Sequence, residues 1–402
     1  MLRPRLSRRG FLVGGMAVTA LSSLAPAGLA RLTRSGDRDG RVLVVLQLSG
    51  GNDGLNTVVP FRQDAYFRLR PSISLAPGGL HRLDDDTALH TSMPGLTELF
   101  AEGDLAVVQG VGYPEPDRSH FRSMQVWHTA DPRTDFGAGF ERPDAGWLGR
   151  LASQAAARGS GMPALHLGTG DLPLSLKTRR GFTPTVRDHR GFELREPTPG
   201  FAAARARVLA ATGDGGDREL LAAAAASTYD AAARMEPLVG KRGDYPDHPL
   251  AQRLALCAQL VAGGFGTRVF GLEHGGFDTH ARQTPSHALL LSELSASLTA
   301  FQRDLAAKGV ADRVVTLVFT EFGRRVEENA SKGTDHGAAG PAFLLGEPVR
   351  GGLLGRAPDL TDLEAGDLPY GVDFRSIYTT LERDWLGLEP CTEIPGLPGL
   401  LG

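Results

Sequence analysis

At 402 residues the chain is two to three times a typical domain length, enough to bury a large core and to carry an inserted unit. Its composition of 41% hydrophobic, 22% charged and 7% aromatic residues argues against a disordered, collagen-like or polytopic membrane chain. A net charge of −3 removes the basic field that nucleic-acid binding relies on, and two cysteines, Cys257 and Cys391, are too few for a disulfide framework, a Cys-rich zinc site or an iron–sulfur cluster.

The chain opens on Ser7-Arg8-Arg9-Gly10-Phe11-Leu12, followed by an apolar, small-residue stretch from Val13 to Leu24 and then Ala25-Pro26-Ala27. Basic region, apolar region and small-residue cleavage site in that order read as a twin-arginine export signal over residues 1–30. The apolar run is shorter than the roughly 18 to 20 residues a spanning helix needs, so a cleaved signal is expected and no permanent membrane span. Loss of Arg3, Arg5, Arg8 and Arg9, with no acid among the thirty, would take the charge from −3 to −7. The body, residues 31–402, is then expected as an exported, periplasmic or extracellular protein with the twin-arginine translocase as its partner in transit.

Residues 42–48 form an apolar run of strand length ending in Ser49-Gly50-Gly51-Asn52-Asp53-Gly54, a pattern that fits a strand buried on both faces with a glycine turn at its carboxyl end. A second run, 105–111, leads through Gly112-Tyr113-Pro114 to Asp117-Arg118-Ser119-His120-Phe121, where polar residues precede a predicted helix through Trp127. Residues 132–200 are rich in Pro, Gly and Arg, and Ala-rich helical segments follow from 201 to 234. The stretch 132–240 reads either as an inserted cap or rim, or as irregular excursions of one domain. A third strand, 268–272, enters His274-Gly275-Gly276-Phe277-Asp278-Thr279-His280, and a helix over 287–307 has apolar residues at Leu290, Leu294, Leu298, Phe301 and Leu305. A fourth, 314–319, ends in Thr320-Glu321-Phe322-Gly323-Arg324, and a fifth, 342–345, follows Asp335-His336-Gly337. Asp373 before Phe374-Arg375-Ser376 reads as a helix cap. Strands alternating with helices predict an α/β fold with a central, mainly parallel sheet flanked by helices.

In open α/β sheets ligands bind beyond the carboxyl ends of the strands. Asp53, Asp278 with His280, and Glu321 all follow predicted strands, and His336 follows a short Gly-containing loop. Singly, each has a plainer reading: Asp53 a turn residue, Asp278 a helix cap, Glu321 an ion-pair partner of Arg324 or Arg325, His336 a core histidine. Together on one rim they would offer three carboxylates and two imidazoles, a donor set suited to zinc, manganese, magnesium or calcium. Ser119, at a loop-to-helix junction, either caps its helix or serves as an activated nucleophile beside a metal. There is no Gly-x-Ser-x-Gly elbow, no P-loop and no dinucleotide fingerprint.

The twin-arginine start, Leu48-Ser49-Gly50-Gly51-Asn52-Asp53-Gly54-Leu55-Asn56, Ser119-His120-Phe121, Gly275-Gly276-Phe277-Asp278-Thr279-His280, and Thr320-Glu321-Phe322-Gly323-Arg324 with Asp335-His336-Gly337 resemble the exported bacterial family catalogued as domain of unknown function 1501. That family in turn resembles the alkaline phosphatase superfamily of phosphatases, sulfatases and cofactor-independent phosphoglycerate mutases. The resemblance implies an alkaline-phosphatase-like α/β fold, one or two divalent metal ions, and a nucleophile at Ser119. Asp53 would be the first-strand metal ligand, Asp278, His280 and His336 one metal site, and Glu321 the acid of the other. Two departures stand out: Phe322 occupies the place where the superfamily's acid is normally followed by His, and the Asp278 to His280 spacing is short, with Arg282 where a His is expected. The Ser-x-Pro-x-Arg signature of formylglycine sulfatases is missing around Ser119. The resemblance therefore implies a metal-dependent hydrolase of phosphate or sulfate esters, its substrate a small molecule or polymer; the alternative is a degenerate, non-catalytic binding protein of the cell envelope.

Overall fold

The computed structural model describes residues 40–132, 145–158, 162–179, 182–187, 207 and 228–402. Residues 1–30, read above as an export signal, and much of the 132–240 stretch lie outside the described residues.

Strand β1 (Val42–Ser49) is the centre of the molecule. Its sequence Val-Leu-Val-Val-Leu-Gln-Leu-Ser is buried at every position but the last. Period-two alternation sends Val44, Leu46 and Leu48 into one core and Leu43 and Val45 into another, so both faces need a helical cover. Around β1 a nine-stranded sheet forms from β5 (Leu105–Gly112), β6 (Ala164–Leu167), β7 (Thr185–Val186), β8 (Val269–Gly275), β9 (Val314–Thr320), β10 (Gly340–Leu345), β11 (Gly352–Leu354) and β12 (Val372–Asp373), in the order β11-β5-β10-β9-β1-β8-β6-β7 with β12 paired to β5. Only β10 runs against its neighbours, antiparallel to β5 and β9, and the other pairs are parallel. The mainly parallel sheet expected from the sequence is present. β6 and β7 come from the 132–240 stretch and extend the sheet beyond β8. A small second sheet joins β2 (Val58–Val59), β3 (His81–Arg82) and β4 (Ala88–Leu89).

Between these strands lie α1 (Gly54–Thr57), α2 (Asp64–Leu69), α3 (Pro94–Glu102), α4 (His120–Thr129), α5 (Trp147–Ala157), α6 (Pro249–Ala262), α7 (Gln283–Ala307) and α8 (Phe374–Thr379). On one face α3, α6 and α7 pack Leu96, Leu254, Leu294, Leu298 and Phe301 against the sheet. The spacing of Leu291, Leu294, Leu298, Phe301 and Leu305 gives the 25-residue α7 its single buried stripe. On the other face Trp127 of α4 lies stacked between Phe319 of β9 and Phe374 of α8, with ring centroids 4.9 and 4.3 Å away. Trp147 of α5 stacks on Tyr378 at 3.7 Å. These aromatic contacts fix α4 in depth and rotation, and so fix the residues at its amino end. Asp373 caps α8 by accepting from the Arg375 backbone amide, as expected. Cys257 and Cys391 are both free thiols. Among the described residues no helix is long and apolar enough to cross a membrane.

One buried acid behind this second core is left half-satisfied. Glu382 accepts from the Cys391 amide through Oε2, while Oε1 is buried without a hydrogen-bond partner. Burial pushes its carboxyl up to about 7 against the opposing hydrogen bonds from Cys391 and the charge of Arg150. The folded protein therefore binds this proton more tightly than the unfolded chain, and stability falls as pH rises from the unfolded value of 4.5 through about 7. Glu382→Gln should melt several degrees above wild type at pH 8, on the order of 3 kcal/mol at most, with the difference vanishing below about pH 4.5. Equal melting shifts at pH 4 and pH 8 in paired thermal scans would refute this.

Candidate metal centre

The strand ends are level. Ser49 of β1 pairs with Gly275 of β8, and Leu48 pairs with Thr320 of β9. In the contiguous order β5-β10-β9-β1-β8, the loops at this edge carry Ser119 and His120 after β5, Glu321 after β9, Asp53 after β1, and Asp278 and His280 after β8. Because β10 is antiparallel, the chain entering it approaches from the same edge and brings His336 there too. Five adjacent strands thus place their polar residues on one rim.

The loop after β1 is shaped by close approach. Gly50 and Gly51 have φ of +118° and +75°, where a side chain is strained. A Cβ on Gly51 would sit 2.2 Å from the Phe322 ring, and one on Gly50 would sit 2.4 Å from the Asp278 amide. The paired glycines let Phe322 and the Asp278 loop rest directly on the backbone of the turn.

Three histidines converge on Asp278. His280 Nε2 lies 2.9 Å and His336 Nε2 3.1 Å from Asp278 Oδ1, the two Nε2 atoms are 2.9 Å apart, and His120 Nε2 is 3.5 Å from Asp278 Oδ2. His120, Asp278 and His336 have one ligand atom each within 4.8 Å of one another, a grouping that can hold a metal ion. The other ring nitrogens are held from behind: His120 Nδ1 by Glu321 Oε1 at 3.0 Å, His280 Nδ1 by Asp335 Oδ1 at 3.1 Å, and His336 Nδ1 by the Arg118 carbonyl at 2.7 Å. Those oxygens only accept, so each Nδ1 is the donor to its backing oxygen and each ring is held with Nε2 toward Asp278. The donor set of imidazole nitrogens with a carboxylate suits zinc or another divalent transition metal.

Asp278 is 48% exposed at its side chain, so the cluster opens to solvent. Burial pushes its carboxyl up, but the hydrogen bonds from Arg324 and His336 and the charges of Arg324 and His280 outweigh this and hold it down at about 2. Arg324 itself is sealed. Its guanidinium donates to Gly51 O at 2.6 Å, Thr334 O at 2.8 Å, Phe277 O at 3.0 Å, Asp278 Oδ1 at 2.6 Å, and the Gly50 carbonyl.

Asp53 and Glu321 lie behind this cluster. Asp53 is at the amino end of α1 but makes no capping bond with its side chain. Its Oδ2 instead accepts from Arg70 Nη1 at 2.6 Å and from the Gln283 amide, and both members of the Asp53–Arg70 pair have no exposed side-chain surface. Burial pushes the Asp53 carboxyl up, and the charge and hydrogen bond of Arg70, with His287 and Gln283, outweigh it and hold it below the usual carboxylate range. Gln283 Oε1 accepts from Thr279 and Thr334, tying Asp53 to the loops that carry Asp278 and His336. Glu321 is also fully buried and accepts from Gly50 N at 2.8 Å as well as from His120. It pairs with neither Arg324 nor Arg325, the partners its sequence neighbourhood suggests.

Ser119 is the exposed residue preceding α4, and its side chain makes no capping bond. Its neighbours on both sides are engaged: the Arg118 carbonyl holds His336 and the His120 ring faces Asp278. Sequence reasoning placed His120 beside Ser119 without a role, and it passed over Arg70, Gln283 and Asp335. Adjacency to Ser119 is the only signal that could have drawn attention to His120.

The Asp53–Arg70 pair has a measurable consequence. Arg70→Met leaves a buried carboxylate without its cation and frees the carbonyls of Val326 and Arg325, which Arg70 also holds. It should lower unfolding stability by about 3–5 kcal/mol in denaturant melts, and a loss under about 1 kcal/mol would contradict the role given to the pair.

Among solved structures, the chain is similar to a protein in the alkaline phosphatase superfamily from Vibrio parahaemolyticus, at 15% identity and a TM-score of 0.40, covering 85% of this chain and 69% of that one. It is similar at 12% identity and a TM-score of 0.40 to the PsFucS1 sulfatase from Pseudoalteromonas sp., over 94% of this chain and 74% of that one. The C-terminal periplasmic domain of EcEptC from Escherichia coli, solved in complex with Zn, is similar at 11% identity and a TM-score of 0.35, over 81% of this chain and 78% of that one. No curated protein matches the sequence. A family model described as a protein of unknown function, DUF1501, matches residues 41–385, most of the strands and helices that build this rim, and the chain belongs to that family.

Proposed function

We propose that this protein is an exported, metal-dependent hydrolase of phosphate or sulfate esters. The observation that carries the reading is the set of imidazole Nε2 atoms turned onto Asp278, each ring fixed through Nδ1, one of them on the residue that follows Ser119, whose side chain makes no capping bond. Asp278, His336 and His120, with His280 beside them, would hold a divalent ion, which when bound would polarise an ester oxygen and lower the pKa of a nearby hydroxyl.

Ser119 Oγ is the nucleophile of this reading. Its hydroxyl would give its proton to water and attack the phosphorus or sulfur, the bond to the leaving group would break with that oxygen taking a proton from water, and a second water would hydrolyse the seryl ester and restore the hydroxyl. α4 begins at His120, so its first-turn amides and the positive end of its dipole favour an anion next to Ser119. Glu321, Asp335 and the Arg118 carbonyl keep the rings from turning as the charge develops. The twin-arginine pattern at residues 1–30 supports export through the twin-arginine translocase to the periplasm or the outside of the cell.

A second reading, a non-catalytic envelope binding protein, draws on Phe322, whose ring lies 4.9 Å from that of His120 and 4.6 Å from that of His336 and covers ground where a further ligand would sit. A panel of aryl and alkyl phosphate and sulfate esters separates the two. Wild type should turn over at least one ester, chelation should abolish that activity, and Ser119→Ala and Asp278→Ala should each lower kcat by about 100-fold or more. Indistinguishable activity of wild type and both variants across the panel would end the hydrolase reading.

A further inference from the structure

We infer that this centre takes a single divalent cation, held by His120, His336 and Asp278 with His280 beside them, and that protein groups fill the places where a second would find its acids. The inference rests on the metal reading above and narrows it. His120 comes from the amino end of α4, and the backing of its Nδ1 by Glu321 matches the backing of the other two rings. That common construction marks it as a member of the same ligand set.

The acids available for a second ion are already committed. Asp53 Oδ2 is taken by Arg70 and Gln283, with the ion pair sealed from solvent. Its other oxygen, Oδ1, is buried without a hydrogen-bond partner, and Asp53 belongs to no group of three or more metal-ligating side chains among the described residues. Glu321 Oε1 accepts from Gly50 N and His120 Nδ1, and its Oε2 lies 3.3 Å from Thr320 Oγ1, whose single proton is donated to Leu48 O at 2.8 Å. The residue after Glu321 is Phe322, whose ring rests on Gly51 and offers no lone pair. Arg324 fills the space among Gly50, Gly51, Phe277 and Asp278 with its own positive charge.

Elemental analysis and calorimetric titration of the full chain with zinc and with manganese, after removal of bound metal, test this directly. One ion per chain is expected, with affinity reduced by more than about 100-fold in His120→Ala and stoichiometry unchanged at one in Asp53→Asn, each variant checked for fold by circular dichroism. Two ions per chain in wild type, unaltered affinity in His120→Ala, or loss of the ion in a folded Asp53→Asn would overturn the single-cation centre while leaving a metal enzyme intact. No stoichiometric ion with either metal would overturn the metal reading itself. The wild-type count decides the matter even if Asp53→Asn does not fold.

Discussion

The Arg324 guanidinium sits at the point where the loops after β1, β8 and β9 meet, with no exposed side-chain surface and every donor nitrogen directed at an oxygen. A buried guanidinium without partners is among the most costly groups in a protein, so the loops that supply Gly50 O, Gly51 O, Phe277 O and Thr334 O can adopt only the arrangement that surrounds it. Asp278 is drawn into that arrangement by a charge-assisted bond, and His280 and His336 follow because their Nε2 atoms face the same carboxylate. The rim is therefore built outward from one cation that belongs to the chain.

A second layer keeps this arrangement rigid. Asp53 and Arg70 form a closed pair beneath the rim, and Gln283, at the start of α7, bonds Asp53 on one side and Thr279 and Thr334 on the other. Asn52 adds a further tie, donating through its backbone to Thr320 Oγ1 and meeting the buried His287 ring at 2.9 Å. Such polar networks specify one geometry because any alternative strands further buried donors or acceptors, and here Asp53 Oδ1 is the member left without a hydrogen-bond partner. The three acids thus divide into two kinds, Asp278 open to solvent and Asp53 and Glu321 buried beneath it.

The architecture was largely legible in the sequence. Continuous apolar runs at 42–48, 105–111 and 314–319 can satisfy their burial only between two helical layers, and the stripe on α7 has one periodicity. Asp278, His280 and His336 were legible as candidates because they follow or precede such runs at the carboxyl edge. The antiparallel direction of β10 was not, since six apolar residues look the same read in either direction, yet that reversal delivers His336 to the rim. His120 was hidden for a different reason: a histidine in the first turn of a helix has no spacing signature, and its role depends on how Trp127 seats α4 against β9 and α8.

What the sequence by itself determined is the class of fold, the edge at which chemistry gathers and the residue types available there, because hydrophobic periodicity and strand-end position are local properties of the chain. Only the tertiary structure decided which carboxylate is open and which is closed. That choice depends on where the guanidiniums of Arg70 and Arg324 come to rest, 17 and 46 positions away from the acids they neutralise, and no local pattern encodes a pairing across that distance.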